Sequence, residues 1–142
     1  MTYRRRLALW SAALHGAWEY AQCPPFYDMS DTGPVEHHAL MVSATAGDIL
    51  INLGVTAAAE RGAGRDAVRR LTPRGTAALL GVGLVAAVGL EWGAQRLGLW
   101  RYTERMPTVR VAGHDVGLLP VAQVATLPVL SVWMVQRFER PR

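Results

Sequence analysis

Four apolar blocks separated by short polar stretches set the pattern of this chain. They run over about 7–22, 38–59, 75–95 and 116–138. An α-helix rises 1.5 Å per residue, so roughly 20 apolar residues cross the hydrocarbon layer of a bilayer. The pattern predicts an all-α polytopic membrane protein, with four transmembrane helices in one bundle and a single domain over residues 1–142. Each block also carries polar residues at helical spacing. Ser11, His15, Glu19 and Gln22 share one face of the first helix, and Thr45, Asp48, Asn52 and Thr56 form a stripe on the second. The third places Glu91 near its end, with Gln95 one turn later, and the fourth has Gln123 and Thr126.

Local signals set the boundaries. Pro24-Pro25 is expected to end the first span, because proline lacks the helix donor and disfavours helix in the residue before it. Phe26 and Tyr27 then fit an interfacial position. In the third span Gly83 and Ala87 are four apart, as are Gly89 and Gly93, a spacing that lets helices approach closely. Pro120 falls in the first turn of the fourth span, where proline is tolerated, and Pro128 lies mid-span, where a kink is expected. The connection 96–115 is the longest non-apolar stretch, and it suits a hairpin through Thr108–Val111 with a turn at Gly113.

Composition agrees with the pattern. Hydrophobic residues make up 51% of the chain and charged residues 18%, which argues against a soluble domain. All 15 basic residues are Arg. They sit in short runs between apolar blocks, as topology signals do, so the net charge of +4 does not point to nucleic acid. Eleven Arg belong to the N-terminus, the 60–74 connection and the C-terminal tail; four lie in the 96–115 connection. The first connection, 28–36, is acidic. The positive-inside rule then puts both termini in the cytoplasm, in a multi-pass protein of the cell membrane, as in a bacterial inner membrane. Arg4-Arg5-Arg6 before LALWSAAL resembles a signal peptide, but His15 and Glu19 interrupt the apolar core and no small-residue cleavage site follows, so the segment reads as a retained span.

With that topology, Glu19, Glu91 and Gln123 share a level near the outer surface, while Asp48 (roughly 15 Å down) and His15 lie deeper. An ionisable group inside a span costs roughly 2.5–3.5 kcal/mol on insertion scales and therefore usually faces a partner or a cavity. The four spans are thus expected to line one outward-opening polar site. His15, Glu19 and Asp48 are the candidate catalytic groups. Gln22, Trp18, Asn52, Glu91, Trp92 and Gln123 are candidate substrate contacts, with Trp18 and Trp92 as an aromatic wall. The lone Cys23 allows no internal disulfide, and Cys23 with His37 and His38 has no recognised metal spacing. No metal or cofactor is expected. No nucleotide-binding loop, nucleophile elbow or zinc-protease helix is present.

His15-x-x-x-Glu19 on one span, with acidic groups on later spans, resembles the sterol isomerase and sigma-2 receptor family of the emopamil-binding fold. That resemblance implies proton transfer on a lipid by an intramembrane His and carboxylates. It covers a few residues of span one and Gly47-Asp48, and the number of spans and the loops do not match it. A second pattern covers most of the chain: Trp18-Glu19-x-x-Gln22-Cys23-Pro24, Gly47-Asp48, Trp100-x-Tyr102, Met106-Pro107 and Gly117-Leu-Leu-Pro120-x-x-Gln123. It is similar to small four-span bacterial membrane proteins of unsettled function and implies no activity.

Two functions fit these residues. One is acid–base chemistry of isomerase or cyclase type on a lipid or isoprenoid, with His15 and Glu19 as the acid–base pair and Asp48 orienting or protonating. The other is a small transporter or binding protein for a cation or polar solute, built on Glu19, Asp48, Glu91 and Gln123. The second would favour a homo-oligomer, since four helices make a narrow path. Below Asp48 the polar stripe nearly ends. A transport path must continue to the cytoplasmic side, whereas a blind cavity suits catalysis.

Overall fold

The computed structural model describes residues 1–138 and is mostly helical. In chain order it has α1 (Tyr3–Phe26), α2 (Pro34–Ala63), the short α3 (Arg65–Arg69), α4 (Pro73–Leu97), β1 (Thr108–Val111), β2 (His114–Gly117) and α5 (Leu118–Phe138). By length and composition α2, α4 and α5 can cross a membrane. The helix α1 falls outside that set because it opens with Arg4-Arg5-Arg6 and carries polar groups along its length. Arg140 and Arg142, counted above for orientation, lie outside the described residues.

Start signals are written locally. The Thr2 side chain accepts the Arg5 N–H, and the Thr72 side chain accepts the Gly75 N–H with Pro73 following as the first helical residue. Pro34 opens α2 after Gly33, whose N–H is taken by the Glu36 carboxylate, so this helix begins a turn earlier than its apolar block. End signals are less local. The α1 helix runs through Pro24 and Pro25 to Phe26 instead of stopping at Gln22. The reason is tertiary. Proline loses a donor but keeps its carbonyl, and Thr103 supplies donors from far along the chain. Its hydroxyl bonds Pro25 O at 2.8 Å and its N–H bonds Phe26 O at 3.0 Å.

That contact makes residues 98–107 a strap across the end of α1. Gly98 ends α4 in the left-handed conformation, where glycine carries no steric penalty. The strap is held further by Asp28 N–H to Arg101 O (2.9 Å), by the Arg101–Asp28 ion pair (3.2 Å) and by a bridge between Tyr27 and Tyr102. After it, β1 and β2 form an antiparallel hairpin, an exception to the all-α expectation, and Val116 and Gly117 belong to β2 instead of the last helix. Its two-residue turn, Ala112 and Gly113, has positive φ at both positions, the backbone of a hairpin turn that matches strand twist.

Packing divides into two apolar regions. One joins the start of α1 (Leu7), the end of α2 (Ala59, Ala63), α3 (Val68), the start of α4 (Leu79) and the end of α5 (Val132, Val135). All are nearly or fully buried. The Arg69–Glu60 ion pair (2.7 Å) fastens α3 to α2 at this end, with the guanidinium 4.2 Å over the Tyr3 ring. The other region joins Ala87, Val116, Val121 and Val124, with Ile51 packed against them. Between the two, α4 meets α5 at Gly83, where a Cβ would stand 2.7 Å from Val124 O. Gly89 and Gly93 behave differently from the expectation of helix contact: a Cβ at either meets nothing within 4 Å, and both line a cavity.

The α1 helix is inside out. Its buried residues are Leu7, Ser11, His15, Glu19, Gln22 and Cys23, so the polar face is the one turned inward. Large apolar side chains such as Val42, Leu50, Leu84, Val85 and Leu90 are exposed on α2 and α4. Polar inside and apolar outside is the inverse of a water-soluble helical protein.

Candidate functional site

The inward face of α1 meets α2 and α5 in one hydrogen-bonded group. Donor and acceptor roles follow from Trp18, because an indole N–H can only donate. Trp18 donates to Gln22 Oε1 (2.7 Å), which turns the Gln22 amide nitrogen toward Gln123 Oε1 (2.9 Å) and Glu19 Oε1 (3.1 Å). Gln123 must then present its own nitrogen to the acids. That nitrogen lies 2.8 Å from Glu19 Oε1 and 2.8 Å from Asp48 Oδ2. A single amide therefore holds two carboxyls, one from α1 and one from α2.

His15 completes the group. It is fully buried, with Nδ1 3.4 Å from Asp48 Oδ2 and 3.1 Å from the Gln123 nitrogen. Its Nε2 lies 3.4 Å from the Asn52 amide nitrogen. Its two ring nitrogens thus face Asp48 on one side and Asn52 on the other. The Cys23 thiol donates to the other oxygen of Glu19 at 3.4 Å. These groups can hold and pass a proton among imidazole and two carboxyls, with amides fixing the geometry.

Beneath the group, Asn52 closes the layer. Its amide nitrogen bonds Ser11 Oγ (3.0 Å) on α1 and Ser131 Oγ (2.8 Å) on α5, and all three residues have 0% exposure. Next comes Thr56, bonded to Asn52 Oδ1, and then the apolar region around Leu7 and Leu79. Beneath this layer Thr56 and Glu60, with Leu7 and Arg4, line a small pocket, so it is the packed Asn52 layer that separates this pocket from the polar group above.

On the other side the group faces a cavity of about 490 Å³. Glu19, Gln22, Asp48 and Gln123 form its polar floor. Ala44, Gly47, Gly89, Gly93 and Ala94 make room in its walls, since these residues are small or lack a side chain. Its lining reaches the surface along Gly89, Leu90, Leu97 and Leu99, which are exposed, so the mouth is apolar. Toward the strap the wall is aromatic, formed by Tyr27 and Trp100. Glu91 lies on this side, 6% exposed, and receives the Tyr102 hydroxyl, which in turn accepts the Gly117 N–H at 3.1 Å.

Of the residues singled out from sequence, His15, Glu19, Gln22, Asp48 and Gln123 come together in one network, and Glu91 borders the same cavity with a separate partner. Asn52 lies beneath the floor. Trp18 braces Gln22, and Trp92 meets His114 edge to face (5.6 Å) under Arg96 (5.2 Å); neither lines the cavity. The aromatic wall is instead Tyr27 and Trp100, with Tyr102 behind it. Sequence reasoning passed over these because they sit in a connection with no helical periodicity. Trp100-x-Tyr102 close to a Glu within an apolar block was the available signal. His37 and His38 gather around Tyr20, whose hydroxyl is 3.0 Å from His38 Nδ1, while Cys23 is held by Glu19.

Burial, followed by the Glu91 carboxyl, pushes the Tyr102 phenol up to about 12. Because the folded value is raised, its contribution to stability is complete below the ordinary phenol value of 10 and is lost as pH rises toward 12. The melting-temperature difference between wild type and Tyr102→Phe is therefore expected to shrink over that interval. A difference independent of pH there would refute the assignment. No family model, curated protein or solved structure matches the chain.

Proposed function

We propose that this chain is a multi-pass protein of a bacterial inner membrane, in which four helices cross as one bundle with both termini in the cytoplasm. Its cavity carries out acid–base chemistry of isomerase or cyclase type on a lipid or isoprenoid. Three apolar helices support membrane residence. The fourth span, α1, is assigned because its polar face is covered by its neighbours, and the Arg-rich ends of α1, α2 and α4 meet at one end of the molecule.

The observation that carries the chemistry is the cavity itself: apolar walls, an apolar mouth and a floor with two carboxyls, Glu19 and Asp48, backed by the buried His15 imidazole. A solvated ion has no use for such walls. An apolar chain that carries a double bond does. In low-dielectric surroundings a carboxyl favours its neutral form, and a neutral acid can donate a proton to an alkene carbon. Glu19 is the candidate donor, with Asp48 and His15 holding and returning the proton. In an isomerisation one C–H bond forms and another breaks, so no other reactant is needed. The faint likeness to the emopamil-binding proteins points to the same type of chemistry. The transport reading is less well supported, because the buried Asn52 layer separates the cavity from the small pocket around Thr56 and Glu60.

The test compares total lipids from cells expressing wild type, Asp48→Asn and Glu19→Gln at equal protein levels. A lipid species should change with wild type and revert with both variants. Unchanged lipids accompanied by variant-dependent ion or solute uptake would sink the enzyme reading.

A further inference from the structure

The cavity is covered at two ends. At the strap, Tyr27 and Trp100 line it and meet edge to face at 6.2 Å, with Tyr102 against Tyr27 at 5.5 Å. Thr103 and Arg101 fasten that strap to the end of α1. Beneath the floor, Asn52, Ser11 and Ser131 are fully buried. Its side is open. Ile51 of α2 packs against the cluster that holds Ala87 of α4. Nearer the strap, α2 lines the cavity with Ala44 and Gly47, and α4 with Gly89, Leu90, Gly93 and Leu97. A Cβ at any of these three glycines meets nothing within 4 Å, so no helix packs there. Gly89, Leu90 and Leu97 are exposed, and so is Val85 one turn before Gly89. The α4 helix is long and apolar enough to cross a membrane, and the exposed apolar face of such a helix meets hydrocarbon. The opening therefore faces lipid chains. A polar headgroup that passed Leu90 and Leu97 would shed water without gaining a partner, whereas a hydrocarbon tail would lose nothing.

We infer that a bilayer lipid enters through this side opening between α2 and α4, tail first, with its headgroup left at the membrane surface and its chain end at the carboxyl floor. This rests on the lipid reading of the cavity and adds which part of the lipid is presented to Glu19 and Asp48: a double bond far along the chain from the headgroup. The strap is then a roof that keeps water from the floor while the lipid comes in from the side.

The experiment uses the full chain in lipid nanodiscs with two phosphatidylcholine probes that carry a photoreactive diazirine, one at the end of an acyl chain and one beside the ester carbonyl. After illumination, mass spectrometry locates the adducts per folded molecule. The chain-end probe should label the floor at Asp48 and Gln123 at least about tenfold more than the ester-side probe, since moving a headgroup between apolar walls costs more than the roughly 1.4 kcal/mol of one decade. Gly89→Trp puts a large side chain in the opening where a Cβ meets no neighbour, and it should cut that labelling about tenfold, as overpacking does. Leu90→Trp blocks the same opening and replaces it if Gly89→Trp does not fold. Leu84→Trp, exposed on α4 outside the cavity, should leave the labelling unchanged. Floor labelling that the blocked variants retain, or that Leu84→Trp loses equally, overturns the side opening and leaves the lipid cavity standing. Equal floor labelling by the two probes overturns tail-first entry. A floor that neither probe reaches, while both label the exposed face of α4 at Val85, defeats the lipid reading and this inference with it.

Discussion

Gln123→Leu is expected to lose about 2–4 kcal/mol of stability and most of the proposed lipid activity together. The Gln123 amide accepts from Gln22, donates to Glu19 and Asp48 and lies against His15, and so joins α5 to α1 and α2. Interhelical hydrogen bonds in membranes average about 0.6 kcal/mol with a maximum near 1.7, and removing all of these together gives that range. The effect should exceed that of an ordinary surface change because the leucine leaves Glu19 Oε1 and Asp48 Oδ2 facing an apolar group. Activity should fall by about 10²-fold even in the folded fraction, since displacement of positioned groups by about 1 Å has that effect. Thermal unfolding of purified protein and lipid turnover per folded molecule check the two parts separately. A variant that melts like wild type would show that the amide is not the link between the helices.

The glycines of α4 should split into two classes. Gly75→Ala places a Cβ 2.1 Å from Ala67 O, and Gly83→Ala places one 2.7 Å from Val124 O. Both obstacles are backbone, so α3 or α5 must move away, and overpacking of this kind costs about 1–3 kcal/mol or more. Val68, with 0% exposure, would be uncovered when α3 lifts. Gly89→Ala and Gly93→Ala meet open space. Alanine is the better helix former by about 0.5–1 kcal/mol, so these two should hold or raise stability while narrowing the cavity. Melting temperatures of the four variants decide the point; similar losses at Gly83 and Gly89 would mean that α4 does not pack on α5 as described.

The same four glycines show where reading a chain stops. Their spacing is equally small-residue-rich, and nothing local distinguishes Gly83 from Gly89. One touches a helix and the other borders a cavity because of where α5 lies, and that position is set by residues far away in sequence. Asp48 and Gln123 illustrate the same limit. Each is visible as a polar residue in an apolar block, but that Asp48 and Glu19 meet one Gln123 nitrogen, oriented through Gln22 by Trp18, is a matter of three helices together.

By itself the sequence determined the four long helices, the membrane-length apolar character of α2, α4 and α5, and which face of α1 is polar, since hydrophobic periodicity and the cost of bare ionisable groups in lipid act on each segment alone. Only the tertiary structure decided that α1 continues through Pro24-Pro25, that Tyr27, Trp100 and Tyr102 belong to the site, and that the polar path closes at Asn52. Those outcomes come from donors and acceptors far apart in the chain, Thr103 on Pro25 and Asn52 on Ser131, and no local periodicity encodes such pairs.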